Sequence, residues 1–329
     1  MARCLEEGLA AARGAPTAVR HLERAPFAGS SSFAAEKVHA VLASGEEIDV
    51  FFKDLNPRNQ LDEARSIREH GLERSRRELL MYQNVLAPLN LGTPALYGSR
   101  WEPSEDRYWL FLEHAGPKRL SRLGDFSLWV EATGWVARLH AIDLSALGER
   151  IEFLPRYDDE HFATCAQQIE RSLSRFEPGH RRVIVEALAR YRESVDYLRA
   201  LPACLIHGEY FGKNVMIRPG STDNTIAVID WETAAIGPRA IDLVSMTAGR
   251  WTSEQRAIMC SAYARTYEAE TGQPVDLNAL YREMAHVGLY RALWWLGYWS
   301  RGDDAHIGRW IKELETMLSI TFSACDDLA

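Results

Sequence analysis

Between residues 205 and 232 the chain sets three polar groups in order among apolar runs. Leu205-Ile206-His207-Gly208-Glu209-Tyr210-Phe211-Gly212-Lys213-Asn214-Val215-Met216 is followed by Ile226-Ala227-Val228-Ile229-Asp230-Trp231-Glu232. An acid, an amide and a second acid each come just after a short apolar stretch. Glu209 and Asn214 stand five residues apart, and Asp230 follows Asn214 by sixteen, at the end of an expected strand. These groups suit a centre that handles phosphates. One carboxylate orients or deprotonates an attacking hydroxyl, while an Asn and an Asp hold magnesium against nucleotide phosphates. Taken singly, Asn and Asp are ordinary turn residues between buried strands. The strand-loop-strand order, the spacing and the following Trp231-Glu232 together favour the phosphate reading.

His-Gly-acid, four residues, Asn, then Ile-Asp-Trp-Glu resembles the aminoglycoside phosphotransferase and choline kinase group, small-molecule kinases with a protein-kinase-like fold. The Glu209–Asn214 spacing is that of the kinase catalytic loop. The resemblance spans about residues 27–320, with its specific motifs between Lys53 and Asp242. It implies an α+β, two-lobed chain. Residues 1–114 form a small nucleotide-binding lobe with an antiparallel sheet and one main helix. Residues 115–329 form a larger, mainly helical lobe that carries catalysis and the acceptor.

The same resemblance implies ATP or GTP and Mg2+ as cofactors, and assigns roles residue by residue. Glu209 orients the acceptor hydroxyl or acts as general base, His207 braces the loop, and Asn214 and Asp230 hold magnesium. Asp242, in Gly237-Pro238-Arg239-Ala240-Ile241-Asp242-Leu243, hydrogen-bonds the catalytic loop. Lys53, ending Val50-Phe51-Phe52, pairs with the phosphates and with a helix acid, Glu78. Ser30, Ser31 and Ser32 sit in a turn whose N–H groups cover the phosphates. Backbone groups of Glu113 and Ala115 bond the nucleobase. The family usually carries Asp where this chain has Glu209. The extra methylene moves the carboxylate outward by about a bond length, and a misplacement near 1 Å can lower a rate roughly 100-fold.

Composition narrows the classes further. The chain has 329 residues, room for one large or two ordinary domains. Its formal charge of −8 argues against a nucleic-acid partner and is compatible with a cationic small ligand. The five cysteines are scattered with no Cys-x-x-Cys pair, which disfavours zinc and disulfide scaffolds and fits a reducing cytosol. No signal peptide and no membrane span is expected.

Along the chain, 38–42 and 48–53 read as strands around the Ala43-Ser44-Gly45-Glu46 turn. A charged stretch, 56–77, leads into a helix with Leu79, Leu80, Tyr82 and Leu86 at helical spacing, and residues 56–75 of that stretch read as a flap over the nucleotide or a solvated insertion. Segments 96–101 and 108–113 read as further strands. Helices are expected over 126–142, 162–176, 183–201, 240–249, 253–271, 277–300 and 305–323. Asp125 and Ser127 are candidate N-caps of the first. His140 reads as a structural histidine.

The acceptor is the least legible part. Tyr290, Arg291, Trp294, Trp295, Tyr298 and Trp299 crowd one helix, with Arg301, Asp303 and Asp304 beyond it. They read either as the wall of a pocket for a bulky or cationic ligand or as a thick helix–helix core. Asp158, Asp159 and Glu160 form an acidic cluster that reads as a solvated loop. The expected activity is ATP-dependent O-phosphotransfer to a hydroxyl of a small molecule, an antibiotic or other natural product. The alternatives are a metabolic kinase for choline, homoserine or a sugar, and a ligand-sequestering protein on a kinase scaffold.

Overall fold

The computed structural model describes every residue except 28–32, 62–70, 90, 219, 221–224, 250, 301–303 and 320–329. The chain divides into two compact units. The first comprises Met1–Leu123, Glu149–Phe153 and Lys213–Thr233; the second comprises Gly124–Gly148, Leu154–Gly212 and Ala234–Ala329.

The first unit is built on five antiparallel strands in the order β1-β2-β3-β5-β4: β1 Val19–Pro26, β2 Ala35–Leu42, β3 Glu47–Asp54, β4 Leu96–Glu102 and β5 Arg107–Glu113. Alternate residues of β2 and β3 are apolar. Val38, Ala40, Leu42, Ile48, Val50 and Phe52 are therefore buried on one face. That face meets α1 (Ala2–Arg13) through Cys4, Leu5 and Leu9. Close approach requires Gly8, because a Cβ there would lie 2.1 Å from the Tyr97 carbonyl oxygen. The first strand was not expected from the sequence. Its residues are largely exposed and lack a two-residue apolar alternation.

The opposite side carries α2 (Gly71–Leu80), which runs on through a wide π-type turn, Met81–Leu86. A small second sheet, β6 (Lys118–Arg119), β8 (Val215–Ile217) and β9 (Ile226–Val228), completes this unit.

The second unit is mainly helical: α3 Phe126–His140, α4 Asp159–Ser172, α5 Pro178–Ala200, α6 Ala240–Met246, α7 Ser253–Thr271, α8 Leu277–Trp299 and α9 Asp304–Ser319. Side-chain caps fix several starts. Asp125 accepts the Ser127 N–H ahead of α3, Thr252 and Gln255 form a capping box on α7, and Asp276 caps α8. Two helices begin earlier than expected. Asp158 caps α4, so the acidic cluster is a helix start, and Pro178 opens α5. The core is formed where α4, α5, α8 and α9 pack together. The strands β7 (Ala203–Ile206) and β10 (Ala235–Pro238) pair antiparallel beside it. Among the described residues no helix is long and apolar enough to cross a membrane.

Candidate functional site

In β3 the alternation that buries Val50 and Phe52 against α1 turns Lys53 to the other face, toward α2. Its ammonium lies 2.7 Å from Glu78 Oε2 and 3.2 Å from Asp230 Oδ1. Lys53 and Glu78 are only 6% and 2% exposed. Burial works against the charged ammonium, but Glu78, Asp230 and Glu232 outweigh it and hold the pKa above its usual value. The Phe33 ring adds a face 5.7 Å from the nitrogen.

The β8–β9 hairpin explains why Asn214 and Asp230 meet despite their separation in sequence. Val215 pairs with Val228, and the Ile229 N–H donates to the Asn214 carbonyl oxygen at 2.9 Å. Asn214 is buried, and Asp230 follows with φ +69, a left-handed conformation that Asp tolerates better than most residues. One carboxylate oxygen from each of Glu78, Asp230 and Glu232 falls within a mutual 4.8 Å. Arg77 Nη1 donates to the Glu232 carbonyl oxygen at 2.9 Å and ties α2 to this turn.

Lys53, Glu78, Asn214 and Asp230 line a cleft within the first unit, with about 790 Å³ of empty space when its open mouth is included. Its apolar walls include Phe27, Phe51, Leu112, Met216 and Ile229. Arg119 and Lys213 also line it. At the end of β5 the Glu113 N–H donates to Ala95 O at 2.8 Å, and the His114 N–H to Asp49 O at 3.2 Å. The Glu113 carboxylate is gripped by Arg218 at 3.0 and 2.9 Å and by the Ala95 N–H at 3.1 Å. Burial raises the pKa of that carboxyl, but these donors outweigh it and keep the group ionised. Ala115 lines the same cleft.

The loop with Glu209 belongs to the second unit. It leaves β7 at Ile206, and Gly208 takes φ +84, a region a Cβ disfavours. Asp242, in the first turn of α6, accepts the His207 N–H at 2.7 Å and the Gly208 N–H at 2.9 Å. His140 Nε2 lies 3.2 Å from the same carboxylate, with His140 Nδ1 3.0 Å from the Tyr263 hydroxyl. His207 is fully buried, and its Nδ1 accepts the Glu209 N–H at 3.3 Å. The Tyr210 hydroxyl donates to Ala132 O at 2.7 Å while its ring stacks on Trp135. His207, Tyr210 and Asp242 therefore anchor the backbone on either side of Glu209.

Aromatic rings flank this loop. A Cβ on Gly212 would lie 2.4 Å from Trp129 Cη2, and Trp129 in turn contacts Trp251 at 5.0 Å. On α8, Trp295 lies 6.2 Å from Phe211 and stacks on Trp310. The other residues of that helix engage the core. Tyr290 and Arg291 are buried, the Tyr290 hydroxyl bonds His161 at 2.7 Å, and Arg291 pairs with Glu313 at 3.0 Å. Trp294 stacks on His161, and Tyr298 packs edge-on against Trp295.

Ser30, Ser31, Ser32, Arg301 and Asp303 lie outside the described residues, as does the 62–70 part of the charged stretch. Sequence reasoning did not single out Tyr82, Arg119, Lys213 or Arg218. It noted Glu232 only as part of a motif, although its position two residues after Asp230 was a usable signal.

The sequence model of the APH phosphotransferase enzyme family matches residues 39–285. No curated protein matches the sequence significantly. Several solved structures share the fold at low identity. One is the GDP complex of an aminoglycoside 2'-phosphotransferase IIIa mutant, 15% identical, covering 94% of each chain, TM-score 0.61. Another is the macrolide 2'-phosphotransferase of Brachybacterium faecium as apoenzyme, 19% identical, covering 93% of this chain and 96% of that one, TM-score 0.55. A third is the streptomycin–ATP ternary complex of APH(2'')-IIa, 13% identical, covering 92% of each chain, TM-score 0.54.

Proposed function

The chain belongs to the APH phosphotransferase enzyme family, and on that premise we propose that it transfers the γ-phosphoryl group of ATP or GTP to a hydroxyl of a small molecule. The observation that carries this reading is the buried Lys53 ammonium, shared by Glu78 and Asp230 in one cleft beside Asn214. The nucleobase sits against the backbone of Glu113 and Ala115, and Lys53 faces the phosphates. Asn214, Asp230 and the nearby Glu232 offer oxygen donors, the ligand type magnesium prefers. When bound, the ion neutralises charge on the β- and γ-phosphate oxygens.

Glu209 orients the acceptor hydroxyl and takes its proton. The hydroxyl oxygen bonds to the γ-phosphorus as the β–γ bridging P–O bond breaks, and the nucleoside diphosphate leaves with that electron pair. The bracing of the loop by Asp242 and Tyr210 fixes where Glu209 begins, and positioning with electrostatics supplies most of the catalysis in such reactions.

Phe211, Trp129, Trp251 and Trp295 about the loop favour a bulky, partly apolar acceptor such as an antibiotic or another natural product. Structures with this fold include proteins described as acting on aminoglycosides and macrolides. The test is nucleoside diphosphate release with a panel of hydroxylated antibiotics, choline, homoserine and sugars. One acceptor class is expected to stimulate release, and Glu209→Gln to lower it by at least about 100-fold. Wild type that binds nucleotide yet phosphorylates no member of a broad panel would replace this reading with ligand sequestration.

A further inference from the structure

Tyr82 presents a polar atom that no described residue engages. It lies in the π-type turn after α2, four residues beyond Glu78, and its side chain lines the cleft beside Lys53, Leu112, Ile229 and Asp230. The residue is 1% exposed, and among the described residues its hydroxyl has no hydrogen-bond partner. Leaving such a group buried and unpaired is destabilising. A wide turn in a helix often marks a functional site.

The surroundings indicate what the hydroxyl is for. Glu78, Asp230 and Glu113 reach it electrostatically from three different elements, and all three line the same cleft. Burial first, then these carboxylates, raise the phenol pKa well above its usual value, so the group is a neutral O–H that can donate. The neighbouring wall, Leu112, Met216 and Ile229, offers no side-chain donor, and Tyr82 carries the only hydroxyl among the described lining residues. With the base's Watson–Crick edge on the backbone of Glu113 and Ala115, the edge that carries N7 faces this inner wall.

We propose that the Tyr82 hydroxyl donates to N7 of a bound purine nucleotide and so makes Tyr82 a base-recognition residue. This inference rests on the nucleotide-binding reading of the cleft. It makes the empty protein carry an unsatisfied group that the nucleotide satisfies. N7 is common to adenine and guanine, so the contact selects purine over pyrimidine and does not separate ATP from GTP.

The experiment is calorimetric titration of wild type and Tyr82→Phe with non-hydrolysable ATP and GTP analogues and with their 7-deaza counterparts, in which a C–H replaces N7. Wild type is expected to bind the parent nucleotides about three- to ten-fold more tightly than the 7-deaza forms. Tyr82→Phe is expected to bind both forms alike, at the weaker affinity. Thermal unfolding of the empty variant is expected to give an equal or higher melting temperature than wild type. A Tyr82→Phe protein that keeps the wild-type discrimination, or a wild type that shows none, overturns the N7 contact while leaving the nucleotide site intact. A lower melting temperature for the empty variant also overturns it, because the hydroxyl then has a partner within the protein. Wild type that binds none of the four nucleotides overturns the nucleotide reading and this contact together.

Discussion

Lys53 Nζ stands 3.2 Å from Asp230 Oδ1, joining residues 177 positions apart in the chain. The same ammonium is 2.7 Å from Glu78. Three elements, β3, α2 and the turn after β9, are thereby held at a single charge. The electrostatics of this cleft also contribute to the stability of the first unit.

Removing one partner of a buried ion pair leaves an uncompensated charge and destabilises by about 3–5 kcal/mol. In Glu78→Gln the ammonium still has Asp230, so a loss near the lower end, about 3 kcal/mol, is expected. Denaturant unfolding of the two proteins without nucleotide measures it. On the proposed function nucleotide affinity is expected to fall as well, since Lys53 loses one of its two bracing carboxylates. A loss well under 1 kcal/mol would show that the pair is as weak as an exposed one.

Asp242 should act on the loop through its backbone. Asp242→Asn keeps the shape but removes the charge that accepts the His207 and Gly208 N–H groups at 2.7 and 2.9 Å. Hydrogen bonds to charged groups contribute about 1.5–3 kcal/mol each, and the amide oxygen retains part of this, so a loss of about 2 kcal/mol is expected. Steady-state kinetics should show a fall in kcat with the nucleotide KM nearly unchanged. A variant in which KM rises and kcat is kept would assign Asp242 to ligand binding instead.

His161 gives the second unit a pH dependence. Its ring stacks between Tyr157 at 3.7 Å and Trp294 at 5.5 Å, and burial pushes its pKa from 6.5 down to about 4, only partly opposed by Asp158. Between these two values the unfolded chain binds a proton that the folded chain does not, so stability falls as pH drops through that window. His286, likewise lowered to about 4, contributes in the same direction. Unfolding midpoints at about pH 7 and about pH 5 should therefore differ more for wild type than for His161→Phe. Equal differences in the two proteins would remove His161 from the account.

Much of this architecture was legible in the sequence for physical reasons. Strands β2 and β3 alternate cleanly, α7 carries Thr252 and Gly272 at its ends, Lys53 and Asp230 each terminate an apolar run, and Asn214 immediately precedes one. Strand β1 was hidden because an edge strand with both faces wet carries no periodic signal. Tyr82 read as one more apolar residue of a helix. Its proposed role depends on the π-type turn and on carboxylates of which two, Glu113 and Asp230, are distant in sequence, which spacing cannot reveal. The crowded aromatics of α8 were ambiguous because packing and ligand binding demand the same residue types. Tyr290 engages the core, whereas Trp295 approaches Phe211 of the loop.

The most direct test of the central claim is calorimetric titration with non-hydrolysable ATP and GTP analogues, with and without magnesium, on wild type and Asp230→Ala. The account predicts tight binding to wild type only with magnesium, and loss of that magnesium dependence in Asp230→Ala. No binding of either nucleotide to wild type, or equal magnesium-dependent binding by both proteins, would contradict it.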